Sequence, residues 1–398
     1  MLTRTGLADR LRRTLFGEPA ADRGLPPRIG VEAELLAFDS DTMRVVHVAD
    51  RLLPFLTAYG ARCGWAARPS TKGAPRFQMP GGGGLALEPG GQLEYASPPH
   101  RSPRDLLRDL AAVVPPLIDA AADAGITLLA RGIDPYNALD DAPLQLDAER
   151  YRMMDTYFAT IGPAGATMMR QTASVQVNID AAADTAATWR VLNAASPYLT
   201  ALFANSARYA GEDTGLASTR AVAWRTLDPL RTGVLPCAGD IADEYAGFAL
   251  WAPAMLRRTG DGEFLPFCEW VRRAEATEEM LAAHLTTLFP DVRPKRYFEV
   301  RSIDALPPEA YAAPVLVITG LTWDARARAE AEDLLGAPDP VALDRASRIG
   351  LNDPTIERTA ASLHDIALAG CARLGERLIG DAELEAARAF RTTRPAAR

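Results

Sequence analysis

The chain has 398 residues, of which 48% are hydrophobic and 24% charged, a composition typical of a soluble globular protein. Its net charge of −8 argues against a general nucleic-acid surface and favours a cytoplasmic enzyme. No apolar run approaches the roughly 20 residues that a membrane span requires. The four cysteines lie far apart without a CxxC spacing, so neither a disulfide framework nor a zinc knuckle is expected.

The first predicted elements are an Arg-rich helix over residues 1–17 and a strand over residues 28–38. Alternate side chains of a strand share one face, so Glu32 and Glu34 point the same way. Two neighbouring carboxylates repel each other and are costly to bury without a positive partner. A hard divalent cation with oxygen ligands is the natural candidate for that partner.

The sequence then predicts short elements separated by turns. They are a partner strand at 43–48, a helix at 52–59, a loop at 69–84, paired strands within 85–97, a helix at 102–123, a strand at 126–130 and a helix at 147–160. The loop contains consecutive glycines at 81–84 but lacks the GxxxxGK[ST] pattern of a P-loop. Both a phosphate cradle and a plain flexible connection therefore remain open for this loop.

The second half of the chain continues with longer elements. They are a strand at 168–180, a helix opened by Ser196 and Pro197 and ending near Tyr209, an aperiodic segment at 211–236, a helix at 277–288, a strand at 295–303 and Ala-rich helices from about residue 314 onward. Long aperiodic segments inside compact proteins are usually functional. No repeat or domain boundary is visible. We therefore expect residues 1–398 to form a single domain, with a sheet core at about 28–305 and a helical part at about 314–398.

Polar pairs at alternate positions recur on the predicted strands. The pairs are Glu32/Glu34, Gln92/Glu94, Gln176/Asn178 and Glu299/Arg301. Any one pair could be a solvated strand face, but pairs on several strands with apolar opposite faces favour a shared polar cavity. An antiparallel sheet with a polar concave face and helices on its convex face would bring the pairs together.

The chemistry of these pairs favours phosphoryl transfer. Their oxygen atoms suit Mg²⁺ or Mn²⁺ better than zinc. Basic residues that could bind phosphates or carboxylates are Arg301, Lys295 and, on the aperiodic segment, Arg220, Arg225 and Arg231. Carboxylates, a metal and arginines without a nucleophile indicate catalysis by positioning and charge neutralisation.

Several segments resemble glutamate–cysteine ligases of the plant and proteobacterial type, and resemble even more the actinobacterial branch that serves ergothioneine synthesis. They are residues 30–34 (GVEAE), 88–94 (EPGGQLE), 172–178 (TASVQVN), 228–233 (DPLRTG), 284–290 (HLTTLFP) and 297–301 (YFEVR). The resemblance runs in order from about residue 28 to 305, and the C-terminal helices match only loosely.

The resemblance implies an α+β carboxylate–amine ligase of the glutamine-synthetase-like fold. In that fold a curved antiparallel sheet, covered by helices, forms a funnel that holds the active site. ATP would phosphorylate the γ-carboxylate of glutamate, and the cysteine amine would displace phosphate to give γ-glutamylcysteine for ergothioneine or glutathione synthesis. Mg²⁺ or Mn²⁺ would be the cofactor, ATP a co-substrate and the protein a monomer or homodimer, with no nucleic-acid or membrane partner.

The resemblance also implies roles for individual residues. The metal ligands would be Glu32, Glu34, Glu94, Gln176 and Glu299, the nucleotide contacts Arg301 and Lys295, and the substrate contacts Arg220, Trp224, Arg231, Asn178 and Thr172. Arg301, Glu94 and Arg231 are the expected catalytic residues, and Glu88 matches a family position without an assigned role. Two alternatives stay open, a ligase of the same fold with another amine acceptor and a non-enzymatic binding protein. The complete set of ligand positions disfavours the binding protein.

Overall fold

The computed structural model describes residues 4–20 and 24–393, and its largest sheet has nine strands whose neighbours are antiparallel. The strands are β1 Ile29–Asp39, β2 Ala66–Arg68, β3 Arg76–Gln78, β4 Gly84–Leu87, β5 Leu93–Ala96, β6 Ile126–Leu129, β7 Ser174–Ile179, β8 Arg208–Tyr209, β9 Glu212–Asp213, β10 Thr232–Gly233, β11 Phe289–Pro290, β12 Val292–Pro294 and β13 Phe298–Asp304. The large sheet has the order β12-β13-β7-β1-β5-β4-β3-β2, and β6 pairs with β1. Strands β8 and β9 form one small sheet, and β10 and β11 form another.

Helices pack around this sheet. Within the described residues they are α1 Arg4–Leu11, α2 Leu53–Arg62, α3 Pro103–Asp123, α4 Glu149–Ala159, α5 Ala164–Gln171, α6 Thr185–Leu202, α7 Thr219–Leu227, α8 Ile241–Trp251, α9 Phe267–Arg272, α10 Glu278–Leu285, α11 Ala312–Trp323, α12 Ala325–Leu335, α13 Pro340–Arg348, α14 Pro354–Leu374 and α15 Asp381–Thr393. Helices α3, α6 and α11 contact the large sheet, and every residue of α11 is buried. None of the helices in the described ranges has the length and apolar character needed to cross a bilayer.

Strand β1 is central because it pairs with β5, β6 and β7. Its residues Val31, Ala33 and Leu35 are buried in the main hydrophobic core, whereas Glu32 and Glu34 on the other face are only partly covered. This alternation is the predicted one for a strand with one apolar face. The α+β class and the antiparallel sheet are likewise confirmed.

Two predicted elements near the middle of the chain are wrong. The strand predicted at 168–180 begins only at Ser174, because α5 extends to Gln171 and buries its methionines in the core. Ser196 and Pro197 do not open a helix, since α6 starts at Thr185 with Asp184 as its N-cap. The Ser196 hydroxyl instead donates to the carbonyl of Leu192 inside α6. Ser196 therefore makes a hydrogen bond within the helix and does not cap a helix start.

Three further predictions need correction. The strand predicted at 43–48 is reduced to one bridge, between Phe38 and Val45. The loop at 69–84 contains the short strand β3, and the segment at 211–236 contains α7, whose first turn is capped by the Ser218 side chain. The other predicted elements are present with shifted ends. The N-terminal helix continues from α1 into a wider turn at Arg12–Phe16, and residues 1–3 lie outside the described part of the chain.

Candidate active site

A cavity of about 750 Å³ lies beside the polar side chains of the central strands. Most of the residues predicted for the site line it, namely Glu32, Glu34, Glu94, Gln176, Thr172, Trp224, Lys295 and Arg301. Four others, Asn178, Arg220, Arg231 and Glu299, do not line this cavity and are described below. The polar strand pairs therefore converge, as the alternating pattern predicted.

The strand register explains this convergence. Glu34 of β1 lies opposite Glu94 of β5, and Glu32 lies opposite Gln176 of β7. Side chains at such facing positions have Cβ atoms about 4.5–5.5 Å apart and interact directly. Because like charges directly opposite each other destabilise a sheet, the Glu34/Glu94 pair is a local cost of this arrangement.

Glu34 is the best satisfied of the cavity carboxylates. It accepts hydrogen bonds from the Ser174 backbone N–H at 2.7 Å, from the Ser174 hydroxyl at 3.0 Å and from the Gln176 amide at 2.8 Å. Burial, and after it the charge of Glu88, nevertheless raises the pKa of Glu34 to about 7. These hydrogen bonds alone therefore do not compensate the negative charge of Glu34.

Glu32 and Glu94 are less well compensated. Glu32 accepts one side-chain hydrogen bond, from the Asn178 amide at 3.3 Å, and no hydrogen-bond donor from the described residues reaches Glu94. Burial raises the pKa of both carboxyls, assisted by Glu299 for Glu32 and chiefly by Glu32 and Glu88 for Glu94. The three carboxyls Glu32, Glu34 and Glu94, hereafter the acidic wall, thus favour the approach of a positive ion.

Glu299 has the opposite environment. It is fully buried, and Arg293 donates to both of its oxygens, at 2.5 and 2.9 Å. Lys295 donates to it at 2.6 Å, and Arg301 at 3.1 Å. Burial alone would raise the pKa of Glu299, but these cations hold it well below its ordinary value. Arg293, Lys295 and Arg301, hereafter the cationic cluster, all line the cavity.

Arg301 connects the two charged regions. Its Nη1 donates to Gln176 Oε1 at 2.5 Å, and the Gln176 amide nitrogen donates to Glu34 of the acidic wall. Its guanidinium lies 5.0 Å from the Trp224 ring centre, and that of Arg220 lies 5.6 Å from the same ring. A guanidinium held by hydrogen bonds and an aromatic face is fixed in orientation before any ligand arrives.

Arg220 and Arg231 occupy interior positions away from the main cavity. Arg220 donates to the Arg301 carbonyl at 2.9 Å and lines a separate cavity of about 30 Å³ behind Trp224. Arg231 is fully buried and donates to Asp228 at 2.7 Å, to the Thr287 carbonyl at 2.9 Å and to the Pro253 carbonyl at 2.7 Å. These contacts hold Arg231 as a buried link between segments, so it does not reach a ligand in this arrangement.

The two polar residues predicted as substrate contacts differ in position. Thr172 lines the cavity, and its hydroxyl donates to the Met168 carbonyl at 2.8 Å. Asn178 lies behind Glu32, and its Oδ1 is buried without a hydrogen-bond partner among the described residues. Thr172 can therefore touch a ligand, whereas Asn178 acts on the cavity through Glu32.

Four cationic residues of the cavity, Arg10, Lys72, Arg150 and Arg293, were not predicted from the sequence. Arg150 donates to Thr286 Oγ1 at 2.6 Å and to its carbonyl at 3.0 Å, and the described residues place no carboxylate within ion-pair distance of it. Lys72 donates to Glu88 at 2.7 Å, and Arg293 belongs to the cluster on Glu299. Arg293 could have been found, because β12 pairs it directly with Glu299. Nothing in the local pattern marks Arg150.

The described residues contain no group of three or more His, Cys, Asp or Glu side chains already gathered around a metal position. The acidic wall still fits a hard cation, because its half-buried carboxyls carry raised pKa values and because Glu32 and Glu94 accept few hydrogen bonds. Of the other predicted ligands, the Gln176 oxygen is occupied by Arg301, and both Glu299 oxygens are occupied by the cationic cluster. The physical case for a cation therefore rests on Glu32, Glu34 and Glu94.

The sequence of the chain is similar to those of a known family and of individual known proteins. The chain matches the family model "Glutamate-cysteine ligase family 2 (GCS2)" over residues 28–389. It is 38% identical over 325 residues to glutamate–cysteine ligase EgtA of Mycolicibacterium smegmatis, covering 77% of this chain and 73% of that protein. It is 30% identical over 313 residues to chloroplastic glutamate–cysteine ligase A of Oryza sativa subsp. japonica, covering 75% and 63%.

A solved structure supports the fold. Glutamate–cysteine ligase (gshA) of Francisella tularensis, solved in complex with AMP, superimposes with a TM-score of 0.54 at 12% identity and covers 92% of this chain and 81% of that one. The sequence resemblance and the enzyme class predicted from it are confirmed by the family match, which extends through most of the C-terminal helices. The chain belongs to the glutamate–cysteine ligase family 2 (GCS2).

Proposed function

We propose that the protein joins the γ-carboxylate of L-glutamate to the amine of L-cysteine with ATP, forming γ-glutamylcysteine, ADP and phosphate. The product would serve ergothioneine or glutathione synthesis, in the cytoplasm, where the three substrates are available. The observation that carries the proposal is a single cavity in which the acidic wall and the cationic cluster meet through Arg301 and Gln176.

The proposed reaction has two steps. A γ-carboxylate oxygen of glutamate attacks the terminal phosphorus of ATP, the bond to the bridging oxygen breaks, and ADP leaves with that bond's electrons. The cysteine amine then attacks the carbonyl of the acyl phosphate, loses a proton, and expels inorganic phosphate. Both steps move negative charge between oxygens, so positioned cations are the main catalytic requirement.

The cationic residues divide into two sets by their partners. The cationic cluster already surrounds Glu299, and its surplus positive charge faces the cavity, where the ATP phosphates would bind. Arg150 donates to Thr286 and is paired with no carboxylate in the described structure, so it would bind a substrate carboxylate. Thr172 and Trp224, which also line the cavity, would help orient the amino acids.

The acidic wall would hold Mg²⁺ or Mn²⁺ through Glu32, Glu34 and Glu94. Bound there, the ion would neutralise phosphate charge during transfer. Because the described residues form no ready-made three-carboxylate cluster, the protein would supply only some of the ion's ligands. Mg²⁺ sites of phosphoryl-transfer enzymes commonly use one or two carboxylates and complete the shell with water and substrate phosphates.

The cavity provides no obvious nucleophile for a covalent enzyme intermediate. Its lining contains no cysteine and no serine within the described residues. Cys237 and Cys371 lie elsewhere, and burial raises the pKa of each thiol to about 12. A phosphorylated substrate is therefore the intermediate that this chemistry favours over an acyl-enzyme.

The decisive test is a screen of amino-acid pairs for ATP-dependent phosphate release, with the product identified by mass. We expect the highest kcat/KM for glutamate with cysteine and a product of the mass of γ-glutamylcysteine. A preference for another amine would keep the ligase mechanism and replace the acceptor. Absence of phosphate release with every pair, in the presence of Mg²⁺ or Mn²⁺, would contradict the proposed activity.

A further inference from the structure

The residues Arg4–Phe16, hereafter the N-terminal segment, precede the part of the chain that matches the family. This segment consists of α1 and the wider turn that follows it. Leu7, Leu11 and Phe16 are at most 4% exposed, so the segment is packed into the core. It is therefore an integral part of the molecule although it lies outside the family match.

Phe16 anchors the end of the N-terminal segment beside the cavity. Its ring centre lies 5.4 Å from that of Trp189, 6.0 Å from that of Tyr245 and 6.5 Å from that of Phe298, all with edge-on geometry. Tyr245 itself lines the cavity. Aromatic pairs at such distances stabilise beyond their buried area and restrict orientation. The preceding residues are thereby held at one position along the cavity wall.

The N-terminal segment contributes Arg10, Thr14 and Leu15 to the cavity lining. Arg10 forms an ion pair with Glu278 at 2.5 Å, which ties the segment to the start of α10. At its other end the Leu15 carbonyl accepts a hydrogen bond from the backbone N–H of Arg296. That contact places Leu15 next to the turn that carries Lys295 of the cationic cluster.

Helix α10 supplies apolar groups to the same cavity. Leu281, Ala282 and Leu285 line it, with Leu281 and Leu285 one helical turn apart, on the helix that Arg10 contacts through Glu278. Together with Leu15 they form one apolar part of the lining, beside the turn that carries Lys295 and Arg296, whereas Met154, Met168, Met169 and Phe289 form other apolar parts. The acidic wall belongs to different strands, β1 and β5.

We propose that Leu15 of the N-terminal segment and the Leu281–Leu285 face of α10 form the subsite for the purine base of the nucleotide. This inference rests on the proposed function and adds the location of the base. Arg10 is a positioning residue in it, because its ion pair with Glu278 holds the two apolar surfaces together.

The chemistry of the substrates favours the base over the amino acids at this position. Glutamate and cysteine are short and polar and match the charged parts of the cavity, whereas a purine is a flat group that needs apolar surface. Phosphates bound at the cationic cluster would place the base within reach of Leu15, since Lys295 and Arg296 adjoin it. Among the residues that the N-terminal segment contributes to the cavity lining, only Arg10 is charged.

The test uses the full-length Leu15→Ala variant with all three substrates. Shortening an apolar wall typically weakens discrimination or binding about 10-fold or more. We expect the KM for ATP to rise about 10-fold, with kcat and the KM values for glutamate and cysteine unchanged. Inorganic tripolyphosphate, which has no base, serves as a competitive probe, and its inhibition constant should stay at the wild-type value.

Two further variants make the outcome decisive. Leu285→Ala, on α10, should raise the KM for ATP in the same way, and it decides the matter if Leu15→Ala does not fold. Leu25→Ala is the matched control, because Leu25 is 54% exposed and lies outside the cavity. Unchanged ATP affinity in both wall variants, or equal weakening of ATP and tripolyphosphate, would overturn the inference.

A second control concerns Arg10. Arg12 belongs to the same segment and pairs with Asp240 at 2.6 Å, away from the cavity. Arg10→Ala should raise the KM for ATP about 2- to 5-fold, as expected for a partly exposed ion pair, and Arg12→Ala should not. The double variant Arg10→Glu with Glu278→Arg, which exchanges the two charges, should restore the wild-type KM for ATP. If wild-type protein releases no phosphate with any amino-acid pair, the proposed function fails instead, independently of these comparisons.

Discussion

Two glutamates of the same sheet show how one residue type acquires opposite properties. Glu299 is surrounded by three cationic side chains and keeps a depressed pKa despite complete burial. Glu94 is half-buried, its charged neighbours are mainly carboxylates, and its pKa is raised well above normal. Glu299 therefore stays ionised and holds cations for the substrate, whereas Glu94 binds a positive ion or keeps its proton.

The first prediction concerns Glu32. Glu32→Gln removes one negative charge from the acidic wall and nearly preserves shape, so turnover should fall by roughly 100-fold. The fold should be retained, because Glu94 would be repelled less by its neighbour. Steady-state kinetics over a range of Mg²⁺ concentrations, with circular dichroism as the check on folding, measures both effects.

The control for Glu32 is Glu212→Gln, since Glu212 lies on the exposed strand β9 away from the cavity. This variant should behave like the wild type at every Mg²⁺ concentration. Near-normal turnover of Glu32→Gln at limiting Mg²⁺ would show that Glu32 does not bind the ion.

The second prediction concerns Arg301. Arg301→Lys keeps the charge but loses the planar group that bonds Gln176 and Glu299 and lies on Trp224. We expect kcat to fall by about 10- to 1,000-fold, the effect of losing ~1.4–4 kcal/mol of transition-state stabilisation. Rapid-quench or steady-state kinetics at saturating substrates gives the value.

Arg225→Lys is the matched comparison for Arg301. Arg225 lines only the small cavity behind Trp224 and pairs with Asp344 at 3.6 Å. Its kcat should remain at the wild-type value. An unchanged kcat for Arg301→Lys as well would leave Arg301 with a purely structural role on its strand.

At the scale of elements, the strands that line the cavity were predicted better than the helices and loops that complete it. The polar alternation on β1, β5, β7 and β13 identified Glu32, Glu34, Glu94, Gln176 and Arg301 of the cavity, because strand periodicity is a local property of the sequence. Arg150 comes from α4 and Lys72 from a loop, and only tertiary packing brings them to the cavity. Arg231 illustrates the converse, since its motif resemblance could not show that the side chain is fully buried.

The predicted helix starts were likewise right in some places and wrong in one. The helix starts predicted at residues 102 and 277 are confirmed, because Ser102 and Thr277 are N-caps and each accepts a hydrogen bond from the backbone N–H three residues on. Pro197 misled the prediction, because proline favours the first turn of helices but is here tolerated inside α6. Composition alone could not distinguish these cases, since the surrounding residues of α6 are almost all buried and tertiary packing stabilises the helix.

The third prediction concerns pH and α10. His284 of α10 is buried, stacks on Phe267 at 4.5 Å, and makes a hydrogen bond of 2.7 Å with the Ala249 carbonyl through Nε2. Burial, with the charge of Arg231 adding to it, lowers the pKa of His284 to about 4. The unfolded chain binds this proton near pH 6.5, so the folded state loses stability as the pH falls from about 6.5 to 4.

The expected size of the His284 effect is on the order of 3 kcal/mol at the acid end. Chemical denaturation of the wild type and of His284→Gln at pH 7.5 and pH 4.5 measures it. The variant should be less stable at pH 7.5, because it loses the stack on Phe267, and its free energy of unfolding should decline less on acidification. Equal declines in both proteins would contradict the assignment.

At the scale of the whole molecule, the fourth prediction concerns the cysteines. Cys63 is exposed, Cys371 is buried, and none of the four lines the cavity. Replacing Cys63 by Ser and Cys237, Cys268 and Cys371 by Ala should leave kcat unchanged, with some loss of stability from the buried site. The nucleotide product should be ADP. AMP among the products, or a glutamylated protein by intact mass, would contradict the proposed mechanism.

The fifth prediction concerns the crossing of α11 and α14. A Cβ atom added at Gly320 of α11 would lie 2.0 Å from the Ala367 carbonyl oxygen of α14. Gly320→Ala must therefore push the helices apart, and overpacking of this kind costs about 1–3 kcal/mol or more. Gly247→Ala in α8 is the matched control, because a Cβ there meets nothing within 4 Å and alanine favours the helix. Urea denaturation compares the two variants.

The complete burial of α11 also bears on folding cooperativity. A helix that is apolar on every side is stable only when it is surrounded, and α11 is enclosed by α12, α14, α15 and β7. The sheet and the C-terminal helices should therefore melt together, as one thermodynamic unit. In native-state hydrogen exchange, amides of α11 and β1 should open with the same free energy, and Gly320→Ala should lower both values equally.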